Sequence, residues 1–343
     1  MLVVRAVKQD DLDGLLELAM QAGSGMTTLK PDRDTLARRL EIACASFAGK
    51  LAPQQGDYMF VMEDAAAGRL AGVCAIKAAV GLDEPFYNYR IGTLVHSSKE
   101  LKVFSRMDTL YLSNDLSGCA ELCSLFLHPA YRVGNNGKLL SKSRFMFIAQ
   151  FPHLFGEKLI AEMRGYQRAD GTSPFWESLG HHFFRMDFNR ADELTTLGKK
   201  SFIAELMPRH PLYVAYLPQE AQEVIGLVHA DTVPARRLLE QEGMHYEGYV
   251  DIFDAGPVLQ ARIGELRALR ESETAIVHTG RNETDAVALV CNGVMHDFRA
   301  IAAPVCVEDA RVALSAEQQS LLGCRDGDTL RTMPLHPKKK SHA

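Results

Sequence analysis

A mixed α/β fold with a small β-rich region added at its C-terminal end is predicted, and three observations predict it. Strand-like and helix-like stretches interleave up to residue 254. One apolar strand runs through a turn rich in Gly and Asn directly into a long helix. Beyond Asp254 only short strand-like pieces remain, punctuated by Gly and Asn. The 343 residues exceed the roughly 250–300 at which a single core stops growing. Two domains are therefore expected, residues 1–254 and 255–335, with a tail at 336–343.

Taken in order, residues 3–7 alternate as a strand. Leu12, Leu15, Leu16 and Ala19 then mark one face of a helix capped by Asp10 or Asp11. Gly23-Ser24-Gly25 interrupts that pattern. Residues 34–47 repeat it, with Leu36, Leu40, Ala43 and Phe47 inward. Residues 58–62 and 70–76 read as strands joined at Ala67-Gly68, and more strand is expected between 86 and 112. The apolar run 121–127 stops at His128-Pro129, because proline cannot donate to a ladder. A helix over 135–150 follows, then a strand over 158–163 and a short helix over 173–179 closed by Gly180. Residues 224–228 read as a strand, 234–241 as a helix ended by Gly243, and 246–253 as a strand. The strand-like pieces 274–278, 286–291 and 300–307, with the turn chemistry of 322–331, predict a small barrel-like region.

The composition, 47% hydrophobic and 24% charged with net charge −5, argues against a nucleic-acid partner, which selects for a basic face. Lys338-Lys339-Lys340 reads as a solvated tail. No apolar stretch approaches the roughly 18–20 residues needed to span a bilayer, so no membrane role is expected. The opening residues form a strand rather than a signal peptide, and the seven cysteines lack any C-x-x-C pair. Reduced thiols, a cytoplasmic location and no bound metal are the expectation.

Residues 125–138 are the most informative. A strand ends in Arg132-Val133-Gly134-Asn135-Asn136-Gly137-Lys138 and a helix begins. Main-chain N–H groups of such a turn converge, and a helix N-terminus adds about half a positive charge, so a phosphate or pyrophosphate fits there. Gly134 and Gly137 allow close approach, while Arg132 and Lys138 add charge. A plain strand-to-helix connection would use the same residues.

This stretch resembles motif A of the GNAT acyltransferase superfamily, R/Q-x-x-G-x-G/A, with Asn where the first glycine usually stands. Thr172-Ser173-Pro174-Phe175-Trp176-Glu177-Ser178-Leu179-Gly180 resembles its motif B. Residues 229–244 resemble a second copy of that motif, so 195–254 is expected to extend the core. The resemblance implies a GNAT-like acyl-CoA N-acyltransferase fold. It implies that Leu125 and Leu127 present backbone groups to the pantetheine and that amides from Val133 to Lys138 hold the pyrophosphate. The family's motif-B tyrosine, its usual acid, corresponds to Trp176, whose indole is no proton source.

A nearer resemblance is to the arginine N-succinyltransferase family, on residues 86–97, 112–118, 121–127 and Ile225-Gly226-Leu227-Val228-His229. It implies succinyl-CoA as co-substrate with no tightly bound cofactor, L-arginine as acceptor, and His229 as the catalytic proton-transfer residue. A homo-oligomer is expected. Glu121 and Cys123 are rivals to His229. Arg90 is a candidate for the succinyl carboxylate, and Asp83, Glu84 and Asp115 for the guanidinium. Two other functions fit the same motifs: an N-acetyltransferase acting on another amino acid, and a CoA-binding regulatory module without catalysis.

Overall fold

An unbroken apolar run has to be covered on both faces, and Met59, Phe60, Val61 and Met62 are all buried in the strand they form. The computed structural model describes residues 1–22, 26, 28–188, 190–191, 194, 201–208, 210–280 and 284–337. Gly23-Ser24-Gly25, the opening of the 195–254 extension and Lys338-Lys339-Lys340 lie outside the described residues.

The strands of the first part are β1 (Leu2–Ala6), β2 (Asp57–Asp64), β3 (Arg69–Lys77), β4 (Asn88–Ser98), β5 (Val103–Ser113), β6 (Ala120–Leu127), β7 (Lys158–Glu162), β8 (Leu212–Tyr213), β9 (His245–Asp251) and β10 (Pro257–Arg262). Those of the last part are β11 (Glu273–Thr279), β12 (Val287–Asn292), β13 (Arg299–Pro304), β14 (Val307–Glu308), β15 (Arg311–Leu314) and β16 (Thr329–Pro334). They form one mixed sheet in the order β14-β15-β11-β16-β12-β13-β1-β2-β3-β6-β7-β10-β9-β4-β5-β8. The fold is mixed α/β, as predicted.

The C-terminal strands do not close into a barrel. Val4 pairs with Ala300 and Arg5 with Arg299, so β13 continues the main sheet through β1. An open strand edge leaves main-chain donors and acceptors unpaired, and joining two edges satisfies both. β10 lies past the expected boundary at 254 and pairs with both β7 and β9.

Helices α1 (Leu12–Ala22) and α2 (Arg33–Phe47) follow the predicted apolar faces and α3 (Asn136–Gln150) the predicted span, with Asp32 capping α2 through Thr35 N–H at 2.8 Å. Residues 139–149 of α3 are buried all round, including Lys142 and Arg144. The helix lies between the sheet and the segments that return from residues 233 to 335. Two further expectations are corrected. Residues 224–228 are not a strand: a helix (Gln219–Val224) ends there, Gly226 takes φ +78, and only Val228 bridges Gly165. Gly180 does not end the motif-B helix, which continues through His181–Phe184 to a left-handed Arg185.

Candidate active site

β6 and β7 pair in parallel only at Ala120–Leu159 and Glu121–Ile160. Beyond that point β7 is paired only on its far edge, with β10, as far as Glu162 opposite Val258, while β6 stays with β3 as far as Leu127. The two strands part, and the β7-facing edge of β6 loses its ladder partner. Leu125 and Leu127 lie on this parted stretch, both half-buried.

The parting is reinforced by a feature that sequence reasoning missed. Ser124 has φ +54, and the β3–β6 register shifts between Val73 and Ala75. A bulge of this kind re-aims the strand. Ser124 N–H donates to Thr28 Oγ1 at 3.2 Å, and Arg39 Nη1 donates to Ser124 Oγ at 2.8 Å. Arg39 is itself held by Asp57 at 2.7 and 3.1 Å. A non-glycine residue in the left-handed region costs about 1–2 kcal/mol, and this network fixes it there. No local sequence signal marks a bulge at a serine.

At the end of β6 the chain makes a single turn of 3-10 helix, reverses at Gly134 (φ +56) and enters α3. Val133 N–H donates to Tyr131 O at 2.8 Å, and Asn136 N–H to Val133 O at 3.3 Å. Val133 is therefore not a free donor, contrary to expectation. The amides of Gly134, Asn135, Gly137 and Lys138 have no main-chain acceptor among the described residues. A side chain added at Gly134 would meet nothing within 4 Å, so the turn opens onto free space. Arg132 Nε donates to Leu127 O at 3.0 Å, and Lys138 Nζ to Asn135 Oδ1 at 3.0 Å. Both cations are tethered over the turn, whose four free donors suit a multiply charged anion.

His229 lies beside the extension of β7. Its N–H donates to Arg164 O at 2.8 Å, next to the Val228–Gly165 bridge. Its Nδ1 accepts from Asp231 N–H at 3.2 Å, so in the neutral ring Nε2 carries the proton. Partial burial, with help from neighbouring Arg164 and against Asp231, holds its pKa below the ordinary imidazole value. The ring is thus neutral near neutral pH.

The rivals behave differently. Cys123 is buried and held near Arg39, with burial pushing its thiol pKa up, so it is a poor nucleophile. Glu121 is buried within the paired part of the strand. Trp176 is buried, donates Nε1–H to Met186 O at 3.0 Å and stacks on Phe184. Arg90 and Asp115 are both mostly exposed and face each other at 3.7 Å. Among the described residues no cluster of His, Cys, Asp and Glu is arranged to hold a metal, and no helix is long and apolar enough to cross a membrane.

A parted parallel strand pair leading into a turn of unpaired amides, with an imidazole beside the second strand's extension, is the arrangement of an acyl-CoA-dependent N-acyltransferase. The model of the arginine N-succinyltransferase beta subunit matches residues 2–268, and that of its C-terminal domain matches 268–334. An arginine N-succinyltransferase from Escherichia coli (strain 55989 / EAEC) is 48% identical over 343 residues, covering 99% of this chain and all of the relative. One from Citrobacter koseri agrees equally well, at 48% over the same spans. A solved structure, arginine/ornithine succinyltransferase subunit AI from Pseudomonas aeruginosa, is 33% identical with TM-score 0.91, over 98% of this chain and 99% of that one. The chain belongs to the arginine N-succinyltransferase family.

Proposed function

We propose that this chain transfers the succinyl group of succinyl-CoA to the α-amino nitrogen of L-arginine, giving N2-succinylarginine and free CoA. The observation that carries the reading is the parting of β6 from β7 directly upstream of four unpaired amides. The freed edge of β6, at Leu125 and Leu127, is the berth for the pantetheine arm. Gly134, Asn135, Gly137 and Lys138 hold the pyrophosphate through their amides, and Arg132 supplies a nearby cation.

The uncharged amine nitrogen attacks the thioester carbonyl carbon, the carbon–sulfur bond breaks, and an amide forms. The nitrogen loses one proton and the departing sulfur gains one. That net movement passes through the His229 imidazole. Its depressed pKa keeps the ring ready to accept a proton at neutral pH, which is what proton transfer there needs. Arg164 supports succinyl over acetyl: its Nε–H is buried with no acceptor, the arrangement a carboxylate completes.

Succinyl-CoA is read as a co-substrate that dissociates each cycle, and the enzyme as cytoplasmic. Self-association is part of the reading. The β4–β5 hairpin exposes Leu101, Val103 and Phe104, and such an apolar tip suits a second copy of the chain. The test is thiol release with L-arginine and either succinyl-CoA or acetyl-CoA. Preference for the succinyl donor is expected, and its reduction by Arg164→Gln. Equal use of both donors by the wild type refutes the reading.

A further inference from the structure

The donor's features leave one conspicuous group unexplained, on the acceptor side. Glu162 ends β7, Asp251 ends β9, and Asp254 follows in the next turn. Among the described residues, none of the three is paired with a lysine or arginine. Asp254 is occupied, its two oxygens accepting Gly165 N–H at 2.7 Å and Gly256 N–H at 2.9 Å. Asp251 Oδ1 accepts the N–H groups of Phe253 and Asp254 at 2.7 and 2.9 Å. Glu162 and Asp251 each keep part of their surface exposed.

A second observation is independent of the acids. Asn88 is 1% exposed and is the cross-strand partner of Asp251. Its Nδ2 donates to Glu162 Oε1 at 2.7 Å, yet its Oδ1 is buried with no donor at all. A buried carbonyl left unsatisfied costs about 1–3 kcal/mol, and it is joined here to two acids that lack a cation. What is missing is a positively charged group made entirely of donors.

We infer that Glu162 and Asp251, joined by Asn88, seat the guanidinium of the amino-acid acceptor. Guanidinium offers five N–H donors in a planar fork and accepts none. The amino-acid end of the acceptor fits poorly: its α-carboxylate is repelled by the acids, and its α-nitrogen must be uncharged to attack. The seat is tied to the chemistry through the extension of β7, where Gly165 binds Asp254 and Arg164 binds His229. Burial, aided by neighbouring acids, raises the Glu162 and Asp254 carboxyls well above their ordinary values, and the Asp251 and Asp254 side chains share a hydrogen bond.

This inference rests on the reading that the chemistry occurs beside His229, and the experiment separates the two. Steady-state rates are measured with L-arginine and with L-citrulline, which carries a neutral urea in place of the guanidinium, at saturating succinyl-CoA. The wild type is expected to favour arginine in kcat/KM by about 100-fold or more. Glu162→Gln and Asp251→Asn each lose about 30-fold or more on arginine, chiefly through KM. They change little on citrulline and leave the KM for succinyl-CoA within about twofold. His229→Ala instead lowers kcat on both acceptors alike. Melting curves and succinyl-CoA binding check that the variants fold; where one does not, the other decides. Citrulline used as well as arginine by the wild type, or equal losses on both acceptors in the variants, overturns the assignment.

Discussion

Glu242→Gln is expected to destabilise the protein measurably without touching the cleft. Glu242 is fully buried at the C-terminal end of the helix Val233–Gln241. Lys142 Nζ of α3 reaches it at 2.8 Å, and Arg267 reaches it through Nε at 3.2 and 3.1 Å and through Nη2 at 2.9 Å. All three side chains are 0–2% exposed. Lys142 also donates to Leu335 O at 3.0 Å and Arg267 to Pro334 O at 3.1 Å, so the cluster ties α3 to the end of β16. Glutamine keeps the shape and removes the charge, leaving two buried cations with one fewer anion. Breaking a buried pair costs about 3–5 kcal/mol. At about 2.1 cal/mol/K per residue, the unfolding entropy of 343 residues is about 0.7 kcal/mol/K, which gives a Tm loss of about 4–7 °C. Differential scanning calorimetry of both proteins at pH 7 measures it. Burial already lowers the Lys142 pKa, and without Glu242 it falls further. Raising the pH therefore discharges Lys142 in the variant, and the deficit should narrow. A Tm within about 1 °C of wild type, or a deficit that widens with pH, refutes the reasoning.

Further outcomes follow from the site and from the hairpin tip. His229→Ala should lower kcat by about 10²–10⁴-fold while calorimetric binding of succinyl-CoA is kept. In the wild type the acid limb of kcat/KM should lie below the ordinary imidazole value of about 6.5, since a depressed pKa keeps the ring neutral to lower pH. Arg164→Gln should move that limb upward, because a neighbouring positive charge is removed. Gly134→Val should raise the KM for succinyl-CoA about tenfold with kcat little changed, since a β-branched residue resists φ +56 and the amides must shift. Phe104→Glu should lower the mass measured by light scattering if the hairpin tip joins two copies; an unchanged oligomer excludes that contact.

Much of the fold was legible in the chain because its signals are local. Leu36, Leu40, Ala43 and Phe47 recur at helical spacing and are all buried, as any register of that helix against the sheet requires. Gly134 and the asparagines beside it favour a chain reversal, so the turn between β6 and α3 could be read from the residues. His229 came into view through a resemblance, on a segment read as a strand; Gly226 at φ +78 turns that segment into a bend.

The rest depended on pairings between residues far apart in sequence. The bulge at Ser124 is set by Thr28 and Arg39, which no local pattern links to it. Lys142 and Arg144 carry charges that ordinarily seek water, yet the returning chain covers them in α3 and Glu242 compensates Lys142. The edge of β13 found β1 instead of closing a barrel, since edge pairing is decided by which strands meet. Asn88, Glu162 and Asp251, distant along the chain, become neighbours only where β4, β7 and β9 come together. Periodicity and turn chemistry determined the elements and the turn; long-range contact decided which charges were buried and what they face.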